Sequence, residues 1–323
     1  MSRSLISTTD LAPQEILLLL DDAAALREQR NAVVDGSRVD ATLRGRTVAL
    51  IFEKPSTRTR VSFEVGVAEL GGTPLALSSS DLQLGRGETV ADTGAVLARF
   101  VQAIVIRTFG QSRLEELAAA SGLPVINALT DEEHPCQAFA DLLTIRDEFG
   151  SFAGRVLTYV GDGNNVAHSL LLAGAAVGLG VRIAHPEGYA PDPGIVARAG
   201  ALAQAHGSEV TVTTDAAAAA SGAHVLYTDV WASMGQEDES EARAAVFAPY
   251  ALDARLVGLA APDAIVLHCL PAHRGEEITA EVIDGPRSRV FDQAENRLHA
   301  QKAVLAHLVG GVAPGGIAAG VLP

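Results

Sequence analysis

The sequence predicts an α/β protein of two similar doubly wound domains, each a central parallel sheet flanked by helices, with the active-site cleft between them. Short apolar runs bounded by turn residues alternate with longer amphipathic or alanine-rich stretches. This is the rhythm of a parallel sheet covered on both faces. It runs to Gly150 and begins again at Arg155, which places the boundary at Gly150-Ser151 and gives domains of residues 1–150 and 151–323. The polar clusters follow strands rather than precede them, and open parallel sheets hold ligands outside the carboxyl ends of their strands. With 323 residues, 48% of them hydrophobic, the chain can build two such cores.

Residues 10–30 read as a capped amphipathic helix with Pro13 in its first turn. Thr47-Val48-Ala49-Leu50-Ile51 is an apolar run of strand length, and Val61, Val65, Ala68 and Leu70 are spaced for the inner face of a helix stopped by Gly71-Gly72. A strand at 73–77, a polar loop at 78–88, a helix at 89–100 and a strand at 103–108 follow. Then come a helix at 112–121 closed by Gly122, a strand at 124–127 and a helix at 135–149. The second round places strands at 155–160, 181–185, 209–213, 224–228 and 264–268, with helices between them. A further strand at 289–291 precedes the last long helix, 295–308. The Gly/Pro/Ala-rich tail, 310–323, is expected to be poorly ordered or laid on the surface.

Between the strand at 47–51 and its helix lies Phe52-Glu53-Lys54-Pro55-Ser56-Thr57-Arg58-Thr59-Arg60. Strand, tight turn and helix start bring free backbone N–H groups and the positive helix end onto one anion. Cations are disfavoured there unless an anion is held, so the stretch reads as a phosphate cradle rather than a solvated basic helix end.

Composition narrows the classes. The net charge of −15 divides into −7 over residues 1–150 and −8 over the rest, so there is no basic half or tail to attract nucleic acid. The two cysteines form no disulfide framework and no metal-type spacing, which suits a cytoplasmic location. No apolar run is long enough to span a membrane, and no signal pattern opens the chain. Lysine stands only at 54 and 302 against 22 arginines; Lys54, Cys136, Trp231, Met234 and Cys269 are rare residues that all lie in the polar stretches at strand ends.

Those stretches carry the chemistry. Gly161-Asp162-Gly163-Asn164-Asn165 after a strand invites a dinucleotide reading, but it lacks the third glycine, and the next strand closes on Ala184-His185-Pro186 without an acid. Its glycines can equally just make the turn, with Asn165 capping a helix or binding an anionic group. His134-Pro135-Cys136-Gln137 is either a plain helix start or a polar site. Cys269 is either a small buried residue or a working thiol at an abrupt strand exit. Asp229 at a strand end is the better functional candidate, whereas His206, His224, His299 and His307 read as surface or packing residues.

Together, Ser56-Thr57-Arg58-Thr59-Arg60, Arg107, His134-Pro135-Cys136-Gln137 and the exit His268-Cys269-Leu270-Pro271 resemble the aspartate/ornithine carbamoyltransferase family. Asp229-Val230-Trp231-Ala232-Ser233-Met234-Gly235-Gln236-Glu237 resembles the mobile loop of the ornithine branch, and Gly161-Asp162-Gly163-Asn164-Asn165 resembles its turn for the amino-acid carboxylate and amine. The aspartate branch shares only the first-domain motifs. The resemblance covers residues 5–308. It implies a carbamoyl-phosphate-binding domain, 1–150, onto which the helix at 295–308 packs back, an ornithine-binding domain, 151–323, and no cofactor.

By this resemblance carbamoyl phosphate lies on Ser56, Thr57, Arg58 and Thr59, with Arg107 bridging phosphate and carbamoyl oxygen. His134 and Thr59 polarise that oxygen, Gln137 and the Leu270 carbonyl accept from the NH2, Arg297 returns to the site, and Cys269 touches carbamoyl phosphate as well as lying near the δ-amine. Gln83 is lent to a neighbouring subunit of a homotrimer or an assembly of trimers. Ornithine is held by Asn165, Asp229, Ser233 and Met234. Arg107, His134, Asp229 and Cys269 are the implied catalytic groups. An amine of pKa about 10.4 is protonated at pH 7, so a thiol–carboxylate pair must bind the cation yet take its proton. Attack gives an oxyanion matched by Arg107, His134 and Thr59. The implied products are L-citrulline and phosphate, in arginine metabolism on the biosynthetic side. A carbamoyltransferase for putrescine or an N-acylated ornithine, a non-catalytic binding subunit and a dehydrogenase are the competing readings.

Overall fold

The apolar runs of strand length become parallel strands in two separate sheets. The computed structural model describes residues 3–32, 41–78, 82, 83, 87–232 and 240–320. The chain divides into one unit of Met1–Leu143 with Glu295–Pro323 and a second of Thr144–Ala294.

In the first unit α1 (Pro13–Ala32), β1 (Thr47–Phe52), α2 (Thr57–Glu69), β2 (Thr73–Ser78), α3 (Val90–Leu97), β3 (Ala103–Arg107), α4 (Gln111–Ser121) and β4 (Val125–Leu129) follow in chain order, and α5 (Pro135–Phe149) begins there and passes into the second unit from Thr144. The strands lie in the order β2-β1-β3-β4, with Ile51 registered against Ile106 and Phe52 against Arg107. Val48, Ala49, Leu50 and Ile51 are fully buried, as a central strand covered on both faces requires. The chain reverses direction across the sheet between β1 and β3. That reversal opens a crevice where their carboxyl ends meet, at residues 52–59 and 107–108.

The second unit runs β5 (Val156–Val160), α6 (Asn165–Ala176), β6 (Gly180–Ala184), α7 (Pro193–His206), β7 (Val210–Thr213), α8 (Ala216–Ala220), β8 (Val225–Thr228), α9 (Ser240–Phe247), α10 (Ala254–Val257), β9 (Ile265–His268) and α11 (Ala280–Ile283). Helix α12 (Val290–Leu305) follows, and its residues from Glu295 belong to the first unit. The sheet order is β7-β6-β5-β8-β9, so the reversal falls between β5 and β8. The residues after those two strands, 161–165 and 229–232, are therefore the ones placed for a ligand. Val160, Leu226 and Val266 pack with Leu252 and Ile278 beneath them.

Two expectations are corrected. Residues 289–291 are not a strand: Ser288 makes a single bridge to Val266, Arg289 N donates to Val266 O at 3.0 Å, and α12 begins at Val290. The apolar Val290-Phe291 pair suggested a strand, but Phe291 is 72% exposed and Asp292 occupies the first helical turn, where an acid is favoured. The tail is also not simply laid on the surface. Val312 and Ile317 are buried, and the buried Asp22 of α1 accepts from His307 Nε2 at 2.6 Å and from Gly315 N and Ala318 N at 2.8 Å each.

Candidate active site

In the first unit β1 delivers the chain to α2 through Ser56, an extended N-cap (φ −163°, ψ 102°) whose hydroxyl accepts from Thr59 N at 3.3 Å. This cap places Thr57 and Arg58 in the first helical turn, where the free N–H groups point. Thr57 is exposed, while Arg58 is half-buried with an Nε that meets no protein acceptor among the described residues. Thr59 is fully buried, and Arg297 Nη2 of α12 donates to its hydroxyl at 2.5 Å. Lys54 pairs with Asp131 and lies 4.5 Å from the Phe109 ring centre, and Arg60 pairs with Glu64 at 2.9 Å. Both outer cations of the stretch are thus engaged by acids.

The neighbouring strand ends are tied to this turn. Glu53 N donates to Arg107 O at 2.9 Å, and the Glu53 carboxylate accepts from the Thr108 hydroxyl and from Arg113 Nη2, the latter at 3.0 Å. Arg107 itself is buried. Between β4 and α5 the buried Glu133 accepts from Ser7 Oγ at 2.6 Å and from Thr8 N and Oγ1 at 2.8 Å each, fixing the turn that carries His134. Cys136 donates to Asn127 O at 3.5 Å, and burial pushes its pKa up to about 12, so it is a structural thiol. Gln137 donates from Nε2 to Asp141 Oδ1 at 2.8 Å. Gln83 is exposed.

Burial, reinforced by the charges of Arg297 and Arg107, holds the His134 pKa well below the ordinary value. The ring is therefore neutral at pH 7 and can donate one N–H to a carbonyl oxygen without carrying charge. As pH falls through about 6.5 the unfolded chain takes up this proton first, so the contribution of His134 to stability is present above that pH and lost below it. In the unliganded protein its ring resonances are expected not to titrate between pH 6 and 8. An NMR midpoint near 6.5 would contradict the neutral donor.

In the second unit Gly161 (φ 154°) turns the chain out of β5, and Gly163 N donates to Tyr189 O at 2.9 Å. A Cβ on Gly163 would lie 2.1 Å from Pro191 N, so close backbone approach explains this glycine. Asn164, not Asn165, caps α6: its Oδ1 accepts from Val166 N at 2.9 Å and Ala167 N at 3.2 Å, and its Nδ2 donates to Asp229 Oδ2 at 3.2 Å. Asn165 is half-buried in the first turn of α6. Asp229, buried at the end of β8, accepts at Oδ1 from the Cys269 thiol at 2.9 Å and from Val230 N at 2.8 Å. The structure thus brings together Asp229 and Cys269, which stand 40 residues apart in the chain. Ser233 and Met234 lie outside the described residues.

Arg243 Nε of α9 donates to Trp231 O at 2.5 Å, and its guanidinium pairs with Asp162 and stacks 4.9 Å from the Tyr189 ring. Burial raises the Asp162 pKa against the pull of Arg243. Burial also raises that of Tyr159, with the charges of Asp229 and Asp162 adding to it. His268 is fully buried: its Nδ1 accepts from Leu270 N at 2.9 Å and its Nε2 faces Glu277 Oε1 at 3.1 Å. Leu270 takes a left-handed conformation (φ 57°) held by that N–H bond. Asp229, His268 and Cys269 bring ligand-type atoms within 4.8 Å of one another. However, both His268 nitrogens and the Cys269 proton are already spent in hydrogen bonds, so the trio does not suit a metal ion.

The chemistry is therefore divided: guanidinium groups, hydroxyls and a neutral imidazole in one unit, a carboxylate–thiol pair in the other. A sequence model described as the aspartate/ornithine carbamoyltransferase carbamoyl-P binding domain matches residues 3–147, and one described as the Asp/Orn binding domain of the same family matches residues 153–308. This chain belongs to the aspartate/ornithine carbamoyltransferase family.

Among its relatives in that family, the ornithine carbamoyltransferase of Parafrankia sp. (strain EAN1pec) is 60% identical over 308 residues, 95% of this chain and 96% of the relative. The solved ornithine carbamoyltransferase from Pyrococcus furiosus superposes with a TM-score of 0.92 at 50% identity, covering 97% of this chain and 98% of that one. The crystal structure of the Gloeobacter violaceus ornithine carbamoyltransferase gives 0.85 at 52% identity, covering 95% and 98%. No helix among the described residues is long and apolar enough to cross a membrane.

Sequence reasoning missed several residues that hold these candidate side chains in place. Asn164 could have been found, because an Asn directly after a Gly turn and before a helix is the better cap. Asp141 could also have been found, as a carboxylate on an otherwise apolar helix face. Arg243, Tyr159 and Glu277 left no local signal.

Proposed function

We propose that this protein is an ornithine carbamoyltransferase, transferring the carbamoyl group of carbamoyl phosphate to the δ-amine of L-ornithine to give L-citrulline and phosphate. The Asp229–Cys269 pair at 2.9 Å carries the reading, because it is the acceptor a protonated amine needs and lies in the part of the chain that matches an Asp/Orn binding domain. Carbamoyl phosphate sits with its phosphate on the α2 start at Ser56, Thr57, Arg58 and Thr59, and Arg107 spans phosphate and carbamoyl oxygen. Neutral His134 and Thr59, the latter held by Arg297, donate to that oxygen. Gln137 Oε1 and the Leu270 carbonyl receive the NH2.

The δ-ammonium binds Asp229, yields its proton to the Asp229–Cys269 pair and attacks the carbamoyl carbon. The oxyanion is matched by Arg107, His134 and Thr59. The carbamoyl C–O bond then breaks, the leaving phosphate takes up the second proton of the attacking nitrogen, and its charge is balanced by Arg58 and the helix end. Asn165, Ser233 and Met234 hold the amino-acid end of ornithine. The protein works in the cytoplasm, on the biosynthetic side of arginine metabolism, as a homotrimer or an assembly of trimers in which Gln83 serves a neighbouring subunit. Incubation with carbamoyl phosphate and each of ornithine, putrescine and N-acetylornithine tests the reading. Citrulline from ornithine with little product from the others is expected. No citrulline, or equal turnover of putrescine, would overturn it.

A further inference from the structure

Asp141 is a fully buried carboxylate one helical turn beyond Gln137 in α5, and it accepts from Gln137 Nε2 at 2.8 Å. That contact turns the amide NH2 toward Asp141 and its Oε1 the other way. Gln137 is 1% exposed, and its Oε1 meets no donor among the described residues. A pair four residues apart that merely stabilised a helix would need only the first contact. A buried acceptor held without a donor is a cost that structural pairs avoid. His134 stands three residues before Gln137, on the same side of the helix start.

We propose that Asp141 is a positioning residue that sets the polarity of the Gln137 amide, and so makes the site select an acyl phosphate bearing NH2 over one bearing a methyl group. The inference rests on the proposed function and extends it to how the donor is chosen. With Gln137 Nε2 held by Asp141 Oδ1 the site presents an acceptor. With an amide at position 141, which can offer its own NH2 instead, the Gln137 amide can turn over and set its NH2 against the NH2 of the ligand, donor to donor.

The test is the isosteric variant Asp141→Asn, whose side chain accommodates either amide orientation. Acetyl phosphate, with CH3 in place of NH2, serves as the probe and is read as a competitive inhibitor. KM for carbamoyl phosphate is expected to rise about tenfold in Asp141→Asn, while Ki for acetyl phosphate moves less than about twofold. The double variant Gln137→Ala/Asp141→Asn is expected to be no worse than Gln137→Ala alone, since one residue acts through the other. Equal weakening of both ligands, or additive losses in the double variant, overturns the proposal. Should Asp141→Asn fail to fold, neutron diffraction of the unaltered protein reads the amide directly: deuterons toward Asp141 support the role, and oxygen toward Asp141 overturns it. Citrulline formation by the unaltered protein keeps the two readings apart. Its absence sinks the proposed function, whereas its presence with unmoved selectivity sinks only the role of Asp141.

Discussion

Asp229→Asn is expected to lower kcat/KM for ornithine by about a thousandfold, within the range of a lost general base. Asp229 Oδ1 accepts from the Cys269 thiol and Val230 N, and Oδ2 accepts from Asn164 Nδ2, so all three donors rely on an acceptor-only group. An amide in its place must turn its own NH2 toward one of them. It also offers no charge to the δ-ammonium and no base for its proton. Because shape is kept, loss of fold is a separate matter that circular dichroism and thermal unfolding address. The informative measurement is the split between KM and kcat. If KM alone rises, Asp229 only binds the amine; if kcat falls with it, Asp229 also takes the proton.

Arg58→Gly is expected to weaken carbamoyl phosphate binding by about a hundredfold, the scale of one charge-assisted hydrogen bond to a phosphate. Arg58 stands in the first turn of α2 with a buried Nε. Glycine in that turn also costs helix stability of about 1 kcal/mol, so Arg58→Gln is the companion that removes charge without loosening the backbone. Calorimetric titration of carbamoyl phosphate against both variants reads the effect. If either retained the affinity of the unaltered protein, the anion would have to be placed elsewhere than the α2 start.

How much of this was visible beforehand follows from the range over which each signal acts. Strand β1 was legible because an apolar run between turn residues has one use in a parallel sheet, and the start of α2 was legible because strand, turn and helix signals lie side by side in the chain. The approach of Asp229 to Cys269 came from the family resemblance together with the rule that polar strand ends share one edge. The exchange of Asn165 for Asn164 shows the grain of such reading, since two identical neighbours differ only in which of them leaves the strand conformation last. The failed strand at 289–291 shows the same grain, because Val290 and Phe291 suit either state until Asp292 and the single bridge at Ser288 decide. Arg243 was beyond reach, because its partners Asp162 and Tyr189 lie 81 and 54 positions away and nothing in its neighbours announces them.

The match to the family's second-domain model ends at residue 308, but the fold does not. A gene shortened at that boundary would keep every group placed in the site, yet strip from Asp22 the N–H donors of Gly315 and Ala318. A buried carboxylate short of two partners costs about 1–3 kcal/mol for each, enough to matter in a marginally stable protein. Where such a chain can be trimmed, tagged or fused is therefore decided by a residue near its beginning.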